Sequence, residues 1–225
     1  MIKEPRYEES WDHLLSVTEI IKSIASPALM NWLRYNTPGK IKAESEKAID
    51  IGKLTHEIIF RIENGEKIEI ATKYPQEIKN TVQSYFEWKK ENKLEVYKSE
   101  LKMKSEKLRY KGTLDRLCKS PDGLVLIDWK TGKAIYDDAL LQLIAYQKLF
   151  EENNGEKISK CIIVRLGKLK PEFEPRQIPA EETEELFHIF NNALAIAYWQ
   201  KQKEIEYKLK EKEIKNGKNS GKDNG

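Results

Sequence analysis

Gly112-Thr-Leu-Asp-Arg-Leu-Cys-Lys-Ser-Pro-Asp-Gly-Leu-Val-Leu-Ile-Asp-Trp-Lys130 decides how the rest of this chain is read. Ser120-Pro-Asp-Gly123 has the Ser, Pro and Gly placement of a tight turn. It separates two runs, about 108–119 and 123–130, that read as the paired strands of a hairpin. In the second run Val125, Ile127 and Trp129 alternate with Leu124, Leu126, Asp128 and Lys130, so a period of two puts Asp128 and Lys130 on one face and Trp129 on the other. An antiparallel register closed by this turn brings Asp115 to within a residue or two of Asp128 across the ladder. Two carboxylates so placed can share one divalent cation, and a lysine beside them can orient or activate a water for attack on phosphate. A solvated Asp-x-Lys pair on a half-exposed strand has the same local sequence, so the chemical reading depends on what accompanies it.

What accompanies it is distributed along the chain. A helix over about 44–63, stopped by Asn64-Gly65, carries His56 in Gly52-Lys-Leu-Thr-His56. The helix after the hairpin, about 138–152 and ended by Asn154-Gly155, carries Gln142 and Tyr146 four residues apart and so on one face. Upstream, Ser16-Val-Thr-Glu19 is a capping-box signature for a first helix, and Ser26-Pro27 is an N-cap and N1 proline for a second over 28–35. Thr37-Pro-Gly39 is expected to break the helical run there. Pro75 leads into a helix with Ile78, Val82, Tyr85 and Phe86 on one face. A strand over about 94–104 precedes the hairpin, a strand at 160–166 follows the Gln142 helix, and a long helix covers about 180–203. The order is helices first, then βββαβ, then a helix.

With Gly112-Thr-Leu-Asp-Arg116, Ile127-Asp-Trp-Lys-Thr131, Gln142-x-x-x-Tyr146 and the helical His56 in this order, the sequence resembles the PD-(D/E)xK nuclease superfamily, and within it the RecB-like exonuclease branch. The resemblance covers roughly residues 16–200. It implies an α/β, restriction-endonuclease-like core, a mixed sheet flanked by helices, with a helical N-terminal portion at about 16–92 and the core at about 93–203. It also implies that His56, Asp115, Asp128 and the backbone carbonyl of Trp129 ligate magnesium or manganese, with Lys130 catalytic. Gln142 and Tyr146 then line the site or contact nucleic acid. Arg116 is open between neutralising phosphate and pairing with an acidic neighbour. Glu100 stands where many relatives carry an acid on the first core strand, or is a solvent-facing glutamate between lysines. The function implied is a metal-dependent deoxyribonuclease, an exonuclease of the stand-alone phage or organelle type that processes DNA ends. A recombination or single-strand-binding protein is the implied protein partner. A DNA-binding module without turnover and a structure- or sequence-specific endonuclease are the alternatives.

Composition sets bounds. With 225 residues, 39% of them hydrophobic, one core is affordable and two are not, so a single domain over 1–205 is expected, followed by a lysine-rich disordered tail at 206–225. No long apolar stretch is present, and Met1-Ile-Lys-Glu-Pro-Arg-Tyr7 lacks the apolar segment of a signal peptide, so no membrane span and a cytoplasmic location are expected. Cys118 and Cys161 are too few for the four-cysteine iron–sulfur cluster of some relatives, and read as buried strand residues. Residues 201–225 hold eight lysines and five acids, which is the whole net charge of +3. Local stripes are therefore more informative than bulk charge: Lys98, Lys102, Lys104, Lys107, Arg109 and Lys111 in one region, Arg165, Lys168 and Lys170 in another.

Overall fold

The computed structural model describes residues 14–24 and 27–220. In chain order the elements are β1 (Leu15–Ser16), α1 (Val17–Lys22), α2 (Pro27–Arg34), α3 (Pro38–Glu63), α4 (Ile70–Lys73) and α5 (Gln76–Glu91). They are followed by β2 (Glu95–Ser105), β3 (Tyr110–Ser120), β4 (Gly123–Lys130), α6 (Asp137–Asn154), β5 (Ile158–Leu166), β6 (Phe173–Ile178) and α7 (Thr183–Ser220). The expected hairpin is β3–β4. Ser120 pairs with Gly123, its hydroxyl donates to the Gly123 carbonyl at 3.0 Å, and Gly123 takes a φ of +117° that an L side chain rarely adopts.

One mixed sheet results. β4 and β5 are parallel, joined by the α6 crossover, while β2–β3, β3–β4 and β5–β6 are antiparallel. The path runs β1-β3-β4-β5-β6, and β2 lies along the other edge of β3. β1 pairs with β3 only at Tyr110 and Lys111, and β4 pairs with it only from Arg116 onward. Residues 112–115 of β3 thus open a fork between β1 and β4.

The two faces of β4 divide the core as its alternation requires. Leu126, with Leu124 partly buried, packs with Leu143, Ile144, Leu149 and Phe150 of α6 and with α1 and α7. Val125, Ile127 and Trp129 pack with Ile59 of α3 and with Tyr85 and Trp88 of α5. Trp129 meets Tyr85 and Trp88 edge-on, at centroid distances of 5.6 and 4.9 Å. Each such pair adds about 0.5–1.5 kcal/mol beyond burial. α6 is buried nearly all round because the sheet lies under it and α7 over it. Cys118 and Cys161 are buried and unpaired, as expected of strand cysteines.

Several boundaries differ from expectation for local reasons. The helical run breaks before Thr37-Pro-Gly39 as expected, α2 ending at Arg34, but the same residues also open α3 well before about 44: the Thr37 hydroxyl accepts from Lys40 N at 3.4 Å, and Pro38 stands at the first turn, where its missing N–H has no intrahelical partner to lose. The capping box at Ser16 and Glu19 forms with both reciprocal bonds. α7 continues to Ser220, past the expected end at Lys203, through Lys- and Glu-rich turns in which Lys208 pairs with Glu204. Residues 206–220 are therefore helical, whereas the expected N-cap Ser26, the N-terminal residues 1–13 and the end of the tail, 221–225, lie outside the described residues. Among the described residues no helix is long and apolar enough to cross a membrane.

Candidate active site

Asp115 and Asp128 flank the fork at which the β3–β4 ladder stops. The last ladder pair is Arg116 with Ile127, and beyond it Asp115 Oδ2 accepts the Trp129 N–H at 3.0 Å. A side chain thus replaces the next ladder bond and keeps the Trp129 peptide satisfied where the strands separate. α3 crosses this point. Its His56 sets Nε2 3.0 Å from the Trp129 carbonyl and Nδ1 3.4 Å from Asp115 Oδ2. Thr55, Ile58 and Ile59 are buried on the core side of the same helix, so packing fixes the helix and leaves His56 directed at the fork.

Strand β2 adds an acid. Ser99 pairs with Arg116 and Leu101 with Leu114, which sets Glu100 opposite Asp115. Ligating atoms of His56, Glu100 and Asp115 all lie within 4.8 Å of one another. Glu100 takes a φ of +48°, a conformation that costs a non-glycine residue about 1–3 kcal/mol and is commonest at functional sites. The face alternation of β3 also breaks here. Gly112 and Leu114 face α6, as does Leu117, so both Asp115 and Arg116 turn toward the α3 side.

Asp128 is 1% exposed. Its Oδ2 lies 2.8 Å from the Lys130 ammonium, and its Oδ1 is buried with no donor among the described residues. Lys130 also donates to Gln142 Oε1 at 2.8 Å, and Gln142 Nε2 donates to the Tyr146 hydroxyl at 2.9 Å. Gln142 and Tyr146 therefore connect to Asp128 through Lys130, and Tyr146 is only 5% exposed. Gly112 explains itself at the same place. A Cβ there would meet Tyr146 Cε1 at 2.6 Å, so only glycine lets the ring pack on β3. At Gly52 the nearest atom to a Cβ is Thr131 Oγ1 at an ordinary 3.6 Å, and the structure gives no steric reason for glycine.

The electrostatics match a cation site. Burial pushes the Asp128 carboxyl up to about 6, against the pull of Lys130. Burial, with the charge of Asp115, also raises Glu100. For His56 burial acts downward, but the charge and hydrogen bond of Asp115, with the charge of Asp128, outweigh it and raise the imidazole to about 9. Asp115 resists burial through His56 and Lys130 and is held below its ordinary value. Two carboxylates and one imidazole meet, with the Trp129 carbonyl at the imidazole and Asp128 beside them; one Asp128 oxygen is buried without a donor among the described residues, and two of the acids are disfavoured as anions: these residues fit a divalent metal. Carboxylate and carbonyl oxygens suit magnesium, and an imidazole among them suits manganese as well.

Most of the expected residues converge: His56, Asp115, Asp128, the Trp129 carbonyl, Lys130, Gln142 and Tyr146, with Glu100 facing the site and not solvent alone. Arg116 does not. Its side chain is buried against Glu63 of α3, its guanidinium also donates to Ser99, and burial lowers its pKa to about 10. It lies behind the site, and of the two readings left open for it, substrate binding and a pair with an acid, the geometry has the pair with an acid. The acid was not foreseen, although Glu63 stands two helical turns after His56 on the same face. Beside the imidazole, Gly52, Lys53, Glu57, Phe60 and Glu100 line a cleft of about 550 Å³.

The family model of the PD-(D/E)XK nuclease superfamily matches residues 31–212. The chain is similar in structure to an inferred exonuclease from Eubacterium rectale, at 15% identity and a TM-score of 0.50, over 88% of this chain and 86% of that one. LHK-Exo, an alkaline exonuclease from Laribacter hongkongensis, is similar at 13% identity and a TM-score of 0.45, over 90% of this chain and 94% of that one. LHK-Exo in complex with dAMP gives 12% identity and a TM-score of 0.49 over the same shares. No curated protein matches the sequence.

Proposed function

The chain belongs to the PD-(D/E)XK nuclease superfamily, and from that premise we propose that it is a divalent-metal-dependent deoxyribonuclease, an exonuclease that processes DNA ends in recombination, repair or replication. The observation that carries this reading is the meeting of His56, Glu100 and Asp115 beside the Asp128–Lys130 pair. A magnesium or manganese ion held by His56, Asp115, Glu100 or Asp128 and the Trp129 carbonyl would polarise the scissile phosphate and lower the pKa of a bound water.

The chain's own groups supply the rest. Lys130, kept charged by Asp128 and aimed by Gln142 and Tyr146, orients the attacking water and stabilises charge developing on the phosphate. Asp115 holds the Trp129 peptide, and with it the carbonyl that faces His56. The expected product carries a 5′-phosphate. The order of the His56, Asp115, Asp128–Lys130 and Gln142–Tyr146 motifs supports the RecB-like exonuclease branch.

Digestion of end-labelled linear, covalently closed circular and single-stranded DNA with magnesium or manganese tests this. Loss of the linear substrates to mononucleotides with the circle intact is the expected outcome. Full cleavage in excess chelator would sink the metal mechanism, cutting of the circle would make the enzyme an endonuclease, and no cleavage of any substrate would leave a DNA-binding module.

A further inference from the structure

The lysines of the β2–β3 hairpin are not equivalent once the strands are paired. Leu101 and Met103 on β2, with Gly112 and Leu114 on β3, face α6. The residues between them, Lys102 and Lys104 on β2 with Lys111 and Thr113 on β3, therefore face the other way. Lys102 pairs with Thr113 and Lys104 with Lys111. Glu100 and Asp115, one step earlier along the same face, are the acids that meet His56. No apolar side chain stands on this face beyond them, and its four residues are exposed or half-buried.

Resting on the nuclease reading above, we propose that Lys102, Lys104 and Lys111 are a phosphate track, which seats the backbone of a nucleic-acid strand on the open β2–β3 face and leads it to the carboxylates at Glu100 and Asp115. Alternate residues on a strand advance about 6.6–6.8 Å, a step comparable to that between successive phosphates. Lys102 and Lys104 thus present cations at that step along β2, and Lys111 lies abreast of Lys104 on β3. Glu106 is 3.9 Å from Lys104, and the Lys111 charge reaches Glu19. Exposed contacts of this kind are worth about 0–1 kcal/mol and yield readily to a phosphate.

Four of the other basic residues of the two sequence stripes are otherwise engaged. Arg109 stacks on the Tyr198 ring, Lys98 lies over Tyr97, Arg165 pairs with Glu172 and Glu174, and Lys170 pairs with Glu172. β2 is also a sheet edge, and edge lysines deter pairing with another chain. That duty is met by lysines anywhere along the edge. It does not account for three on one face in line with the acids.

The test measures binding of a short fluorescein-labelled DNA single strand by anisotropy, in chelator, as a function of salt. The variants are Lys102→Gln/Lys104→Gln/Lys111→Gln and, as a control for net charge, Lys40→Gln/Lys73→Gln/Lys208→Gln. In the track variant the slope of log affinity against log salt should fall by about 2–3 and affinity by about tenfold or more. Hydrolysis of bis(p-nitrophenyl) phosphate, too small to reach the track, should stay within about twofold of the original in the presence of manganese. An unchanged slope, or an equal loss in the control, overturns the track even where DNA is cleaved. Lysine-dependent binding in a protein that hydrolyses no DNA with either metal overturns the nuclease reading and upholds the track.

Discussion

Replacing Arg116 by methionine removes one side of a buried ion pair and leaves the other. The side chains of Arg116 and Glu63 are 3% and 5% exposed, and the other donor to Glu63 is the Tyr85 hydroxyl, 2.9 Å from Oε1. Oε2 then faces apolar surroundings with its charge uncompensated. Breaking such a pair costs about 3–5 kcal/mol. For a chain of this size each kcal/mol moves the melting temperature by about 2–4 °C, so Arg116→Met should melt about 6–20 °C lower by calorimetry. Glu63→Leu/Arg116→Met removes both charges and should recover most of that loss, because filling the site with apolar volume avoids the desolvation of two ions. What it does not recover is the Tyr85 hydrogen bond, worth about 1 kcal/mol. DNA affinity, measured well below the melting transition, should be unchanged in both variants. A single variant that melts normally and binds DNA weakly would refute this reasoning and make Arg116 a phosphate contact.

Three further outcomes follow from the site. Gly112→Ala drives a methyl against Tyr146 and Val17, so about 1–3 kcal/mol of stability should be lost; turnover should fall more than DNA affinity as the Tyr146–Gln142–Lys130 chain is displaced, and normal steady-state kinetics would show that the chain does not position the lysine. Lys130→Ala should lower turnover by about a hundredfold or more with manganese affinity by titration calorimetry retained or tightened, since Asp128 loses a competing cation, whereas Asp128→Ala should weaken manganese binding itself; equal loss of affinity in both would reverse the assigned roles. In the metal-free protein the raised His56 pKa gives a stability contribution that is whole below the ordinary 6.5 and lost as pH rises through about 9. Because a ligating imidazole must be neutral, manganese affinity should climb about tenfold per pH unit from pH 7 to about 9 and then level, and a flat profile across that range would remove His56 from the ligands.

Local signals made much of this protein legible. The Ser120–Gly123 turn, the alternation through β4, the His56 helix and the four-residue spacing of Gln142 and Tyr146 are short-range features, and each survives folding because the backbone periods that produce them are local. They were enough to put Asp128 and Lys130 on one face and to bring Asp115 opposite Asp128. Thr37-Pro38 was legible as a break after α2, but its second role, as the cap and first-turn proline that start α3, was not read.

Only the tertiary structure decided the fate of Arg116 and Glu100. Both are charged strand residues beside the motif, and sequence spacing cannot say whether such a side chain finds solvent, a metal or a buried partner. Glu63 of α3 lies more than fifty residues before Arg116, and their meeting depends on how α3 crosses the sheet. Glu100 reaches the site through the register of β2 on β3 and a local left-handed backbone, neither of which leaves a compositional trace. The same register picks Lys102, Lys104 and Lys111 out of a wider run of positive charge. Which cations line up with the acids is a property of strand pairing, set by the apolar residues on the opposite face that bury themselves against α6.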